Sequence, residues 1–179
     1  SLDGLDICYV SFKKSKYSIY NIVKSKTYSY NEKWIKKLKG SIFLNKQELI
    51  KIDIEYGTLL SYYLKKFISE FSIDKVDLIS SHGHTVFHEP NKGKTLQIGD
   101  GKIISKIIKT DVVRDFRTQD IKYEGQGAPL VPIGDLDLFS NYRICLNLGG
   151  FSNVSIKGDN TIKAFDICPV NTVLNHYSN

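Results

Sequence analysis

The chain has 179 residues, 41% of them hydrophobic, and a formal net charge of +6 at pH 7, enough for one core or for one domain and part of another. Of its 25 basic residues only Arg114, Arg117 and Arg143 are arginine, and the lysines cluster only at Lys33, Lys36, Lys37 and Lys39, so nucleic-acid binding, which leans on clustered Arg, is set aside. No run approaches the ~20 apolar residues of a membrane span, and Cys8, Cys145 and Cys168 have no paired spacing, so a cytoplasmic, reducing setting is expected.

In chain order, residues 5–12 are β-rich, and a Lys-Lys-Ser-Lys turn at 13–16 predicts a hairpin into a second strand that continues into a third by Tyr30. A short helix is expected from Asn31, as N-cap, to Lys39, with Gly40 as its stop. Asn45 opens one long helix, because Leu49, Ile52, Tyr56, Leu59, Leu60, Tyr63, Leu64, Phe67, Ile68 and Phe71 recur at helical spacing. Residues 76–80 form a buried-type strand that ends in Ser-His-Gly-His-Thr at 81–85, where α/β folds place ligand sites. A short strand at 95–98, a helix at 99–109 and a strand at 112–115 follow.

Residues 115–132 have neither helical nor strand period, yet gather charges, amides, glycines and prolines between segments of clear period. A loop that long inside a compact domain is usually functional or disordered, and its flanks favour function. A short helix at 133–140 comes next. Three short strands at 143–148, 151–157 and 161–166 then follow, the first two joined by Gly149-Gly150. This last pattern echoes residues 5–30 and suggests a duplicated fold, the alternative being a meander in one α+β domain. The chain lacks an initiator Met and ends at Asn179 as a helix begins, so it is expected to be a piece of a longer protein.

Four groups of residues carry the chemistry. Ser1, Leu2, Asp3 and Gly4 before the first strand are either a frayed terminus or, with the Gly149-Gly150 turn, one of two backbone-rich turns suited to phosphate oxygens. Neither fits P-loop spacing. His82, His84 and His88 could ligate a metal, but they lack HExxH spacing, and hydrogen bonding to a substrate by His82 competes with that reading. Asp166, after a β-like run and before Pro169 and Asn171, is either a helix cap or a general base aimed into a cleft.

Taken in order, six segments closely resemble the anhydro-N-acetylmuramic acid kinase family over nearly the whole chain. They are Ser-His-Gly-His-Thr-Val-Phe-His-Glu-Pro at 81–90, Thr-Leu-Gln-Ile-Gly-Asp at 95–100, and Asp-Phe-Arg-Thr-Gln-Asp at 115–120. Gly-Gln-Gly-Ala-Pro-Leu-Val-Pro at 125–132, the most specific, is followed by Leu-Asn-Leu-Gly-Gly-Phe-Ser-Asn-Val at 146–154 and Phe-Asp-Ile-Cys-Pro-Val-Asn at 165–171.

The resemblance implies an α/β fold: a ribonuclease-H-like lobe of the actin and hexokinase type over 1–141, and the first strands of a similar second lobe over 142–179. It implies an ATP- and Mg²⁺-dependent kinase that converts 1,6-anhydro-N-acetylmuramic acid to N-acetylmuramic acid 6-phosphate in cell-wall recycling. By motif match Asp166 is the base; Ser1, Leu2, Asp3 and Gly4 are the end of the first phosphate loop; and Asn147, Gly149 and Gly150 belong to the second. His82, Arg117, Asp120, Gln126 and Gly127 fall on the sugar side. No protein ligand of Mg²⁺ is firm, with Asp3 the nearest candidate. The partners expected are an amino sugar and ATP, without nucleic acid or membrane, and a homodimer is compatible with the reading.

The chain departs from the family at His84, usually Gln, and at Ile167, Cys168 and Val170, where the family has Thr, Gly and Gly. The truncated chain is expected not to turn over. Two alternatives remain open: a non-catalytic sugar-binding relative, and a metal-dependent hydrolase or chaperone-like ATPase of the same superfamily using His82, His84 and His88.

Overall fold

The computed structural model describes residues 2, 4–13, 16–128, 130–159 and 161–178. Its contacts divide the chain into two compact units, Ser1–Ser11 with Asn21–Gly125, and Phe12–Tyr20 with Gln126–Asn179. The chain is mixed α and β, as expected, and its strands lie in four small sheets.

Strands β1 (Gly4–Lys13) and β2 (Lys16–Ser29) form a two-stranded sheet; Phe12–Tyr20 belong to the second unit, and Lys14 and Ser15 of the expected turn lie outside the described residues. The second and third strands expected here are one continuous strand, because nothing between Lys16 and Ser29 interrupts its extended backbone. Helix α1 (Glu32–Gly40) begins as expected, with the Asn31 side chain accepting from the Trp34 N–H. Gly40 does not stop it in a left-handed turn: its φ of −76° is right-handed, and the chain runs on into a 3₁₀ turn at Ser41–Phe43. Helix α2 (Lys46–Glu70) starts with a capping box, Asn45 accepting from the Gln47 and Glu48 N–H groups while Glu48 accepts from the Asn45 N–H. Its buried stripe, Ile52, Tyr56, Leu60 and Phe67, is the helical face read from the sequence.

Strand β3 (Ile79–Ser81) is shorter than expected and pairs in parallel with β6 (Val112–Arg114). Between them lie β4 (His84–Glu89) and β5 (Lys94–Ile98), an antiparallel pair, and helix α3 (Gly101–Ile108). Strand β4 corrects the reading of 82–88 as polar residues at a strand end: His84 and His88 are members of a second hairpin. The core joins Tyr30, Leu38, Ile52, Tyr56, Leu60, Ile79, Val86, Ile98 and Ile104, and each fully buried Leu or Ile among them contributes about 1.5–3 kcal/mol.

The aperiodic segment after Asp115 also contains a helix, α4 (Phe116–Lys122). It carries too few apolar residues for a visible stripe; local bonds shape it instead, Thr118 Oγ1 donating to the Asp115 carboxylate at 2.5 Å and the Tyr123 N–H capping its end.

In the second unit, helix α5 (Pro132–Leu138) precedes an antiparallel sheet of β7 (Ile144–Leu148), β8 (Phe151–Lys157) and β9 (Ile162–Pro169), and helix α6 spans Asn171–Ser178. Lys157 reaches back to the Phe139 carbonyl at the end of α5, at 2.5 Å. Of the two segments expected to echo each other, residues 5–30 give two paired strands and residues 144–169 three. Among the described residues the three cysteines are free thiols, and no helix is long and apolar enough to cross a membrane.

Candidate functional site

The candidate residues fall into two groups, one in each unit. In the first unit β3 ends at Ser81, and the chain turns through His82 and Gly83 before β4. Gly83 has φ +70°, and a Cβ there would fall on the Ile98 carbonyl oxygen, so the backbone crosses the end of β5 where no side chain fits. That crossing fixes His82. Its Nδ1 lies 3.0 Å from the Gly83 carbonyl oxygen, and Arg117 Nε of α4 lies 3.0 Å from its Nε2. Although the outer edge of His82 is exposed, the surrounding protein pushes its pKa down from 6.5, and the Arg117 charge adds to the shift. His84 is pushed down as well, mainly by burial.

The end of β5 is held from behind by α2. The Asp53 carboxylate accepts from the Gly99 N–H at 2.6 Å, and the Asp53 carbonyl accepts from the Asp100 N–H at 3.2 Å. Burial raises the Asp53 pKa, opposed by the Gly99 hydrogen bond. Asp100 then caps α3 through the Lys102 N–H at 2.7 Å. Asp53 is a supporting residue absent from the expected set; an acidic residue on the buried side of an otherwise apolar stripe was its signal. Asp53→Ala leaves the Gly99 N–H unpaired, and a loss of about 1–3 kcal/mol in denaturant unfolding is expected.

Asp120, on α4 with Arg117, lies against Gly125, where any Cβ would strike its carboxylate, and its carbonyl accepts from the Gly125 N–H at 2.9 Å. Gln126, exposed, and Gly127, buried with φ +64°, belong to the second unit. The structure thus brings together His82 and Arg117, with Asp120 farther along the same helix.

The histidines do not converge. His84 packs edge-on to Tyr56, His88 Nδ1 lies 3.1 Å from Thr95 Oγ1, and among the described residues no three His, Cys, Asp or Glu side chains gather to hold a metal ion.

In the second unit Asp166 is not at the end of a strand and caps no helix. It lies inside β9, which continues to Pro169, while α6 begins only at Asn171. Its register is informative: Asn147 of β7 faces Asn153 of β8, which faces Asp166 of β9. One rung across three strands therefore carries two amides and a carboxylate on the same face.

A β-bulge makes this possible. Ser152 pairs with Cys168 and Asn153 with Asp166, so Ile167 is the extra residue. Bulges of this kind bend a strand and re-aim its side chains. The Ile and Cys departures from the family thus fall on the bulge itself and on its neighbour. Asn153, within a quoted motif but not singled out, is the residue sequence reasoning missed, because register is not written in a single strand.

Next to this rung, the Gly149-Gly150 turn points its carbonyls at the start of α6: Gly149 O accepts from the Asn171 N–H at 3.2 Å, and Gly150 O from the Val170 N–H at 2.8 Å. Among the described residues neither glycine N–H has a backbone acceptor. A Cβ on Gly150 would come within 3.1 Å of Thr172 Oγ1. Two amides of a tight turn that have no backbone acceptor among the described residues can donate to phosphate oxygens.

Residues 1–4 are those expected to end the first phosphate loop. Ser1 and Asp3 lie outside the described residues, Leu2 packs against the core, and Gly4 starts β1, where a Cβ would sit 2.7 Å from the Tyr28 carbonyl oxygen. Two concave surfaces among the described residues, one at Ser140, Tyr142 and Arg143 and one beside Leu44 and Ile52, contain none of the candidate residues.

A family model described as anhydro-N-acetylmuramic acid kinase matches residues 1–179. Curated relatives of that name from Bacillus cereus strain Q1, Bacillus thuringiensis subsp. konkukian and Bacillus anthracis are each 31% identical to the chain over 192 residues. Each alignment covers 97% of this chain and 50% of the relative, so the chain spans about half the length of the curated relatives it matches.

Proposed function

The chain belongs to the anhydro-N-acetylmuramic acid kinase family, and on that footing we propose that the full-length protein phosphorylates 1,6-anhydro-N-acetylmuramic acid with ATP. The product is N-acetylmuramic acid 6-phosphate, and the setting is cell-wall recycling in the cytoplasm. Residues 1–141 are read as the first ribonuclease-H-like lobe and residues 142–179 as the opening of the second. The single observation that carries the reading is the rung of Asn147, Asn153 and Asp166 beside the amides of Gly149 and Gly150.

That rung supports the following chemistry. Asp166 takes a proton from water as the water oxygen bonds to C1 of the sugar; the C1–O6 bond breaks, and O6 becomes the acceptor of the phosphoryl group. Opening an acetal asks for a carboxylate on the face opposite the leaving oxygen, as in inverting glycosidases. ATP bound with Mg²⁺ supplies the γ-phosphoryl group and neutralises its charge. Gly149 and Gly150 hold phosphate oxygens by their N–H groups, so the turn positions rather than reacts. Asn153 lies opposite Asp166 on the neighbouring strand and orients its carboxylate, while Asn147, one strand farther away, serves the phosphates with the glycine turn. His82, Arg117, Asp120, Gln126 and Gly127 serve the sugar, and Ser1, Leu2, Asp3 and Gly4 the phosphates.

Asn153 acts through Asp166. Asn153→Ala is expected to lower kcat on the order of tenfold while KM stays within about twofold; a change confined to KM would make it a sugar ligand instead. The whole reading is tested by giving the full-length protein ATP, Mg²⁺ and the anhydro sugar. ADP and 6-phosphosugar in equal amounts are expected. Sugar binding without ADP would turn the protein into a non-catalytic sugar-binding relative.

A further inference from the structure

Resting on the kinase reading, we propose that His82 is a positioning residue: as the neutral Nδ1–H imidazole it orients the Arg117 guanidinium for the sugar through its Nε, and its protonation breaks that bond. The partners of the ring determine its tautomer. The Gly83 carbonyl can only accept, so the Nδ1 that lies 3.0 Å from it carries the proton. Arg117 Nε can only donate, so the Nε2 that lies 3.0 Å from it is bare. Neither partner allows the other tautomer. The Gly83 oxygen is itself pinned, since the backbone there has φ +70° and passes too close to Ile98 for a side chain.

The consequence is a guanidinium with one orientation. With Nε engaged, rotation about the last side-chain bond of Arg117 is stopped, and its Nη edge is presented one way. An imidazolium has two N–H groups and no acceptor, so protonation removes the bond and sets two positive charges against each other. Among the described residues the charged and titratable groups facing the ring are Arg117 from α4 and His84 from β4. Burial first and the Arg117 charge after it lower the His82 pKa from its ordinary 6.5, against the Gly83 hydrogen bond, which raises it. The clamp therefore holds at neutral pH and opens on acidification.

The test uses the full-length protein and two substitutions. His82→Gln offers an amide oxygen to Arg117 and an N–H to Gly83 without titrating; His82→Leu offers neither. For the unsubstituted protein, kcat/KM for the sugar is expected to be flat near neutrality and to fall below pH 6.5 as His82 gains its proton. His82→Gln loses that acid limb whatever its kcat/KM at neutral pH, while His82→Leu falls on the order of tenfold to a hundredfold at every pH. An acid limb unchanged in His82→Gln overturns the proposal.

¹⁵N NMR of the imidazole and of the Arg117 Nε–H gives a second readout that does not depend on turnover. A bare Nε2 and a protected Arg117 Nε–H that is lost on acidification support the clamp; an Nε2–H tautomer overturns it. If the unsubstituted protein forms no 6-phosphosugar, the kinase reading fails while the NMR result still decides the clamp.

Discussion

Asp166→Asn in the full-length protein is expected to lower kcat by on the order of 10³-fold or more, with sugar affinity within about tenfold of the unsubstituted value. The amide has the shape of the carboxylate and keeps the rung with Asn153 and Asn147 intact, but it cannot take a proton from water. Binding, which uses the ground state, is spared; the attack on C1, which needs a base, is not. Single-turnover kinetics and calorimetric titration of the sugar separate the two. Turnover retained within tenfold would remove Asp166 from the role of base, and a parallel collapse of affinity would make it a sugar ligand.

Gly83→Ala is expected to cost about 3 kcal/mol, the sum of left-handed backbone strain and overpacking against β5. The new methyl would fall on the Ile98 carbonyl oxygen, and the φ of +70° denies it another position. Because the obstacle is main chain, no rotamer change relieves it. Chemical denaturation should show a lowered midpoint at unchanged slope, and the Arg117–His82 bond should be lost with it. An unchanged midpoint would mean that the turn relaxes freely, and that the site it holds is softer than its hydrogen bonds indicate.

What could be read from the sequence was what is local. The caps at Asn31 and Asn45 follow from side chains acting on their own helix within a few residues, and both are present. The long stripe of α2 is visible because its period repeats over 25 residues. Gly40 was a false stop because a glycine permits the left-handed turn without requiring it. Helix α4 was hidden because its seven residues complete no apolar stripe, and β4 because two histidines in a six-residue strand look like site chemistry.

The candidate residues divide the same way. Asp166, His82 and Arg117 were chosen by motif, and their company was not. Nothing in Phe-Asp-Ile-Cys-Pro tells that Ile167 bulges out of the ladder and thereby brings Asp166 opposite Asn153. Nor does any spacing indicate that residues 82 and 117, far apart in the chain, share one hydrogen bond. Register and loop approach are products of packing, so they appear only once the strands are paired.

The central claim is that water, through Asp166, opens the sugar while O6 takes the phosphoryl group. Running the full-length protein with ATP, Mg²⁺ and the anhydro sugar in H₂¹⁸O, with mass spectrometry before anomeric exchange, tests it most directly. One ¹⁸O at C1 of the 6-phosphosugar, an unlabelled O6 bridging to phosphorus, and one ADP per sugar are expected. Label in released inorganic phosphate with an unchanged sugar would contradict it, because the water would then have attacked ATP.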